Sequence, residues 1–302
     1  MWGMRAKSRA GGRELGALLR RHREKAGLTL DMLSARIGKS TTFLHRLEVG
    51  ERSATSETEV VHYMVACGST YQAVDELVRL SKETIHDRGY RLCSSGQFMS
   101  DSLRSLVFHE ANATRLVNYE PEVIPGLLQT QPYIEALLSR EDIPVDRRQE
   151  RVKDRLERQQ ILIRNRQAKF TFVIHERALR LEVGDYRIMT DQLYAMMFFA
   201  DQWNISIRVM PASARHRALF GGSFLYLDHD KYSPMVYLDA ALGGFIVEDR
   251  DYVEAQRSLL RQIVKVSLNE EESRMFITTL ADEYDRAEGY WDDPWQVAQE
   301  QL

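Results

Sequence analysis

The chain has 302 residues, of which 44% are hydrophobic and 28% charged, values typical of a globular protein long enough for two domains. No stretch approaches 18 consecutive apolar residues, and the first ten residues lack the apolar segment of a signal peptide. We therefore expect neither a membrane span nor secretion. Cys67 and Cys93 fit no metal-binding spacing, and we expect reduced thiols in a cytoplasmic protein.

Charge is distributed unevenly along the chain. Residues 1–52 contain 12 Lys/Arg and 5 Asp/Glu, whereas the remainder contains 29 and 39, although the whole chain carries a net charge of only −3. A basic end joined to an acidic body is typical of a DNA-binding segment attached to a solvated, non-binding domain. The alternative is chance clustering of charge in a basic tail.

The N-terminal segment predicts an arm followed by a helix. Residues 1–12 indicate a basic flexible arm that either touches phosphates or a minor groove, or is simply solvated. A first helix is predicted from Arg13 to Ala26, where leucines recur on one face. If this segment belongs to a DNA-binding domain, basic residues of its first helix are placed to meet the DNA backbone. Arg20 and Arg21 are therefore candidate phosphate-binding residues. For each of them, a solvated helix surface is the alternative.

Two short helices that meet at a tight turn come next. Apolar residues recur at i, i+3 and i+4 in the first helix, and the Thr29 hydroxyl is placed to cap its N-terminus. Gly38 can adopt the left-handed conformation that ends a helix. Ser40 is placed to cap the second helix, which ends at Gly50. The pattern predicts a helix-turn-helix unit.

The second of these helices has the features of a DNA recognition helix. Phe43, Leu44 and Leu47 share one face, so the polar and basic residues between them point outward. A short helix of this kind suits the major groove, with its cap donating to a phosphate and basic residues of helix 1 and the turn holding the backbone. The candidate DNA-binding residues are Arg20, Arg21, Lys39, Ser40, Thr41, Thr42, His45, Arg46 and Arg52.

The remaining elements divide the chain into two domains. Helices predicted at 57–67 and 71–85 complete an all-α five-helix domain at 13–85, and the polar residues 86–97 predict a linker. In the fourth helix we expect Val60, Val61, Met64 and Val65 to face the core. An α+β domain with a mixed sheet and flanking helices is predicted at 98–288, and an acidic tail at 289–302.

The second domain begins with helices and continues with strands. A helix is predicted at 100–118, a turn at Pro125-Gly126, a short helix at 133–138 and a charged helix at 146–166. The arginines of the charged helix admit a second nucleic-acid surface, but the interleaved carboxylates favour a solvated face. Strands are predicted at 170–175, 205–210, 223–228, 235–239 and 245–247, with further helices at 190–203, 252–266 and 270–287.

The segment from Gly27 to Arg52 resembles the helix-turn-helix core of the lambda-repressor-like, xenobiotic-response-element (XRE) class of regulators. The resemblance rests on Leu28-Thr29, Leu33, Ile37-Gly38 and Leu47-Glu48-Val49-Gly50. It implies a lambda-repressor-like five-helix fold. Ser34 replaces the usual Ala and Lys39 the usual turn Val, which predicts the loss of one core contact at the turn.

The segment from Phe98 to Tyr284 resembles the C-terminal domain, of unassigned activity, of a large group of actinobacterial helix-turn-helix regulators. The residues that carry this resemblance are Glu110-Ala111, Ile124-Pro125-Gly126-Leu127-Leu128-Gln129-Thr130 with Tyr133, Arg158-Gln159, Ile161-Leu162, Glu176, Ala178-Leu179-Arg180 and Val209-Met210-Pro211. The resemblance implies an antitoxin-like transcriptional regulator. Such regulators are often encoded beside a small protein that they bind and control.

The sequence favours binding over catalysis. Leu179 stands where a zinc-protease motif beginning at His175-Glu176 needs its second histidine, and the histidines show no ligand spacing. Gly221-Gly222-Ser223 lacks the second glycine of a nucleophile elbow, and no phosphate-binding loop is present. We therefore expect no catalytic residue, metal or cofactor.

Three functions remain open at the sequence level. The first is a transcriptional regulator that binds double-stranded DNA as a homodimer on an inverted repeat, because one short helix reads only a few base pairs. The second is a module that sequesters a small protein partner and uses DNA binding for autoregulation. The third is a small-molecule sensor. Candidate partner or regulatory residues are Pro125, Gly126, Leu127, Leu128, Gln129, Thr130 and Tyr133, with plain core packing as the alternative for the two leucines.

Overall fold

The computed structural model describes residues 10–51, 56–84, 90–94, 99–140, 144–214, 218, 221–240 and 243–291. The chain divides into two compact units, one formed by residues 1–113 with 227–254 and the other by 114–226 with 255–302. Within the described ranges, no helix is both long and apolar enough to cross a membrane.

Helices dominate the first third of the chain and strands alternate with helices thereafter. The helices are α1 (Ala10–Lys25), α2 (Leu30–Ile37), α3 (Thr41–Glu48), α4 (Glu57–Ala66), α5 (Tyr71–Thr84), α6 (Met99–Ala111), α7 (Gln131–Ser139), α8 (Val145–Gln159), α9 (Ile161–Arg164), α10 (Glu176–Arg180), α11 (Tyr186–Ala200), α12 (Arg250–Val266) and α13 (Glu270–Trp291). The strands are β1 (Tyr90–Ser94), β2 (Arg115–Glu120), β3 (Lys169–His175), β4 (Ile205–Met210), β5 (Phe224–Asp228), β6 (Met235–Ala240) and β7 (Gly243–Val247).

The five predicted helices of the N-terminal domain are confirmed. Their apolar faces form one core, whose most deeply buried members are Leu15, Leu19, Leu33, Leu44, Leu47, Val60, Tyr63, Met64 and Leu77. The prediction for α4 was wrong at Val65, which is 64% exposed. Tyr63 is buried instead, and its hydroxyl donates a hydrogen bond to the buried Glu48 carboxylate.

The first unit also contains strands from both of its segments, β1 from the first and β6 and β7 from the second. β7 pairs antiparallel with β1 and with β6, with Val247 opposite both Tyr90 and Val236. β1 lies inside the stretch 86–97 that the sequence predicted as a linker. Because β1 pairs with β7, which is far away in sequence, no local sequence pattern predicts this strand.

The second unit is built on parallel strands. β2, β3 and β4 are parallel neighbours, and the strand order is β5-β2-β3-β4. The large buried side chains of its core include Tyr119, Tyr133, Phe170 and Phe172. With the antiparallel pairs of β7, these strands confirm the mixed sheet with flanking helices predicted for the C-terminal region.

Two predicted helices of this region were wrong in extent. The helix expected at 100–118 ends at Ala111, and β2 occupies 115–120. Because Leu116, Val117 and Tyr119 are all buried, β2 lacks the alternation that marks a half-buried strand. The charged helix expected at 146–166 is divided into α8 and α9.

Candidate nucleic-acid interface

The caps predicted for α2 and α3 are present. Thr29 Oγ1 accepts a hydrogen bond from the Met32 amide at 3.2 Å, and Ser40 Oγ accepts one from the Phe43 amide at 3.2 Å. Gly38 adopts the left-handed conformation, with φ of 67°, and ends α2. The chain therefore reverses between the two helices at the predicted residues, and α3 begins at Thr41.

The two departures from the usual motif meet at this turn. Ser34 Oγ donates a hydrogen bond to the Lys39 carbonyl oxygen at 2.6 Å. The Lys39 ammonium lies 3.0 Å from Glu59 Oε1 and 5.0 Å from the centre of the Phe43 ring. Polar contacts and a cation–π contact therefore hold the turn where the usual Ala and Val would pack apolar side chains.

The outward face of α3 is open to solvent. Thr42, His45 and Arg46 are exposed and Thr41 is half-buried, whereas Leu44 and Leu47 on the opposite face are buried. The side chains proposed to reach base edges are thus not part of the core. Ser40 is also exposed, so its hydroxyl caps α3 from the solvent side.

A buried ion pair that sequence reasoning missed fixes the end of α3. The Arg23 guanidinium of α1 donates two hydrogen bonds to the Glu48 carboxylate, from Nε at 2.6 Å and Nη2 at 2.8 Å. Arg23 Nη1 donates a third to the Leu28 carbonyl oxygen at 2.8 Å. Tyr63 of α4 donates its hydroxyl proton to Glu48 Oε1 at 2.5 Å. Three helices therefore meet at one carboxylate.

The electrostatics of this cluster follow from its hydrogen bonds and its burial. The hydrogen bond to Glu48 is the largest cause that raises the pKa of the Arg23 guanidinium. Burial, and then the hydrogen bond to Glu48, raise the pKa of the Tyr63 hydroxyl well above its ordinary value. A sequence signal existed, since Arg23 and Glu48 lie four residues after Leu19 and Leu44 and so continue the buried faces of α1 and α3.

Close backbone contact also ties α1 to α3. A Cβ at Gly16 would lie 2.6 Å from the Glu48 carbonyl oxygen, and one at Gly50 would lie 2.6 Å from Arg13 Cα. Gly50 has φ of 71°, a conformation that favours glycine. The two glycines thus allow the backbones of α1 and of the end of α3 to touch.

The candidate phosphate-binding residues differ in their surroundings. Arg21 is exposed, and among the described residues no carboxylate pairs with it. Arg20 donates to Glu24 at 2.7 Å, and this exposed contact raises the pKa of Arg20 and lowers that of Glu24. Lys39 is paired with Glu59, as described above. Arg52 lies outside the described residues.

The candidate partner residues form a tightly bonded loop. Pro125, Leu127, Leu128, Gln129 and Tyr133 are buried, and Gly126 and Thr130 are half-buried. The side chain of Gln192 accepts from the Thr130 amide at 2.7 Å and donates to the Leu128 carbonyl oxygen at 2.8 Å. Gln159 of α8 donates to the carbonyl oxygens of Gly126 and Gln129. This segment packs within its own unit and presents few atoms to a partner.

Comparison with known families assigns both parts of the chain. Residues 103–279 match the model of a family described as a domain of unknown function, DUF5753. The chain belongs to this family. Residues 14–77 match a model described as a helix-turn-helix domain, which indicates a DNA-binding regulator. No curated protein matches the chain.

The matched ranges coincide with the features described above. The helix-turn-helix match runs from most of α1 to the first half of α5, and it includes the Arg23–Glu48–Tyr63 cluster and every described candidate DNA-binding residue. The DUF5753 match includes the buried loop at 125–130 and α7 and α8. Among the described residues, no cluster of three or more His, Cys, Asp or Glu side chains could hold a metal ion.

The DUF5753 domain also contains an open groove between α7 and α8. Its volume is about 1040 Å³, and its walls mix apolar side chains with charged and amide groups. The lining residues include Gln131, Pro132, Glu135, Ala136, Arg148, Val152, Lys153, Leu156 and Ile188. The groove lies next to the loop at 125–130, which the sequence predicted to bind a partner. Gln131 and Pro132, which follow that loop at the start of α7, line the groove.

Proposed function

We propose that this chain is a sequence-specific, DNA-binding transcriptional regulator of the lambda-repressor-like XRE type, which inserts α3 into the major groove. The observation that carries the proposal is the contrast between the two faces of α3. One face is fixed by Leu44, Leu47 and the Glu48 ion pair, and the other exposes Thr42, His45 and Arg46. A rigid short helix with an exposed polar and basic face fits major-groove recognition.

Each candidate residue has a proposed role in the complex. Thr41, Thr42 and His45 reach base edges, and Arg46 binds either guanine or a phosphate. A bidentate contact with a base discriminates by about 1–3 kcal/mol. The Ser40 hydroxyl, at the N-terminus of α3, donates to a phosphate, while Arg20, Arg21, Lys39 and Arg52 hold the backbone.

The charge distribution supports the same proposal. The excess of basic residues lies within residues 1–52, so the attraction for the phosphate backbone is concentrated on the segment that includes α1 to α3. If about six phosphates are neutralised, the logarithm of the binding constant falls with the logarithm of salt concentration with a slope of about −5.

The proposal includes a homodimer acting in the cytoplasm. One α3 reads only a few base pairs, and a second copy on an inverted repeat doubles the site. Half-sites are then about 34 Å apart, or a multiple of that distance. Sedimentation of the protein with and without DNA tests this part, and a monomer under both conditions contradicts it.

A second candidate function is antitoxin-like sequestration of a small protein encoded by a neighbouring gene. The groove between α7 and α8 supports this function. It is a better candidate binding surface than the buried loop at 125–130, because Val152 and Leu156 line a large open space in the DUF5753 domain. A small-molecule ligand in the same groove is the competing occupant. In either case the C-terminal domain controls the protein by binding rather than by catalysis.

Selection of DNA from a random-sequence library tests the leading proposal. The full chain should enrich a duplex with two related half-sites, hereafter the selected duplex. The double variant Thr42→Ala with Arg46→Ala should lose affinity for this duplex while keeping the circular dichroism of the parent. Arg79→Ala, a change at a 58%-exposed side chain on α5, is the control and should bind normally. Unchanged affinity of the double variant would refute the role of α3.

A further inference from the structure

The first turn of α1 is held by a residue that lies just after β7. Arg13 Nη2 donates to Glu248 Oε1 at 2.9 Å, and the Ala10 amide donates to Oε2 of the same carboxylate. The side chains of Arg13 and Glu248 are 1% and 8% exposed, so the pair is almost fully removed from water. A carboxylate at this position also opposes the positive end of the α1 dipole.

Other side chains of the same unit complete this attachment. Ser105 of α6 donates its hydroxyl proton to Glu14 Oε2 at 2.8 Å, and both residues are buried. The Arg13 guanidinium lies 4.8 Å from the centre of the Tyr232 ring. The residues that hold α1, namely Ser105, Tyr232 and Glu248, all fall within the DUF5753 match, whereas α1 itself is the first helix of the helix-turn-helix match.

The first two turns of α1 also contact the end of α3, the proposed recognition helix. The Arg13 backbone lies against Gly50, two residues beyond the end of α3, so closely that no Cβ would fit there. One turn further along α1, Gly16 lies against the carbonyl groups of Leu47 and Glu48. Because the two backbones are in direct contact, a shift of the first turn of α1 changes the packing against the end of α3.

We infer that Glu248 is a positioning residue for DNA recognition, through which the DUF5753 domain controls the placement of α3. This inference rests on the proposed function. Withdrawal of the Glu248 carboxylate removes the acceptor of two hydrogen bonds, from Arg13 Nη2 and from the Ala10 amide, and so weakens the attachment of the first turn of α1. Any event that moves the end of β7 therefore changes DNA affinity without touching a DNA-binding side chain.

The test is Glu248→Gln in the full chain, which keeps the size of the side chain and removes its charge. We expect about tenfold weaker affinity for the selected duplex, at a temperature where circular dichroism shows a folded protein. Amide hydrogen exchange should accelerate in the first turn of α1 and in α3, with no change in α5. Asp75→Asn, which breaks an exposed ion pair on α5, is the matched control and should alter neither quantity.

Two further variants separate positioning from general stability. Glu248→Asp keeps a carboxylate and should recover part of the affinity. Arg13→Gln combined with Glu248→Gln should cost no more affinity than the Glu248 change alone, because the pair acts as a unit. Equal acceleration of exchange in α5 and α3, or unchanged affinity in Glu248→Gln, overturns the positioning role. A parent protein that selects no duplex overturns the proposed function instead.

Discussion

The Arg23 guanidinium donates two hydrogen bonds to the Glu48 carboxylate inside the helix-turn-helix domain. This contact joins the last turn of α1 to the last residue of α3, at the opposite end of α3 from the Ser40 cap. In the proposed complex the outward side chains of α3 meet base edges, so fixing both ends of so short a helix would serve recognition as well as stability.

The first prediction concerns this pair. Glu48→Gln should lower the free energy of unfolding by about 3 kcal/mol, because it leaves the Arg23 charge buried without its partner. Urea denaturation followed by circular dichroism measures the change. Asp75→Asn on α5 is the control, since it breaks an ion pair whose side chains are more than half exposed and should cost far less. Equal losses in the two variants would contradict a structural role for the buried pair.

A second prediction tests the close contact of α1 with α3. Gly16→Ala places a methyl group against the backbone of Leu47 and Glu48, so the helices must separate, and we expect a loss of about 1–3 kcal/mol of stability together with weaker DNA binding. Gly12→Ala lies on the same helix, but its new Cβ would sit 3.5 Å from the Gly50 carbonyl oxygen, an ordinary contact. That variant should be neutral or slightly more stable, because alanine favours the helix. Thermal unfolding of both variants decides the matter.

Local signals were enough to predict the helix-turn-helix elements. The hydroxyls of Thr29 and Ser40 and the conformational freedom of Gly38 act within a few residues of where they stand, so sequence spacing predicts where α2 and α3 begin and where α2 ends. The same reasoning did not predict the polar contacts at the turn, because the Ser34 hydroxyl bonds to the backbone of residue 39 and the Lys39 ammonium bonds to Glu59 of another helix.

Features that depend on distant partners escaped prediction. The buried pair of Arg23 and Glu48 was not predicted, because a single helix does not show which polar residue has a buried partner. β1 is paired with β7 from far along the chain, and β2 is buried on both faces and so resembles part of a helix. For the stretch from Pro125 to Tyr133, composition alone did not distinguish a partner surface from the packed loop that the structure shows.

A third prediction concerns the acid sensitivity of stability. Burial lowers the pKa of His175 below its ordinary 6.5, and His175 Nδ1 accepts a hydrogen bond from the Arg177 amide at the start of α10. The unfolded chain therefore binds a proton more readily than the native one. Stability contributed by neutral His175 is present above pH 6.5 and is lost as the pH falls below that value.

The test compares His175→Asn with the parent from pH 7.5 to pH 5. Asparagine also caps helices but does not titrate, so the variant should lose less stability on acidification, by up to about 1.4 kcal/mol for each pH unit between 6.5 and the lower native pKa. His62→Asn, at an exposed histidine on α4, is the control and should follow the parent. Parallel curves for His175→Asn and the parent would show that this histidine does not contribute.

The last prediction separates the phosphate-binding residues from the charged helix of the DUF5753 domain. Arg21→Ala should weaken binding to all duplexes alike and reduce the magnitude of the salt slope by about 1, because one phosphate contact is lost. Arg46→Ala should instead reduce the preference for the selected duplex if Arg46 binds guanine. Arg147 on α8 is the control, because its side chain, like that of Arg21, is exposed. Arg147→Ala should leave the salt slope unchanged. Fluorescence anisotropy at several salt concentrations measures all three, and a reduced slope for Arg147→Ala would assign α8 to the DNA interface after all.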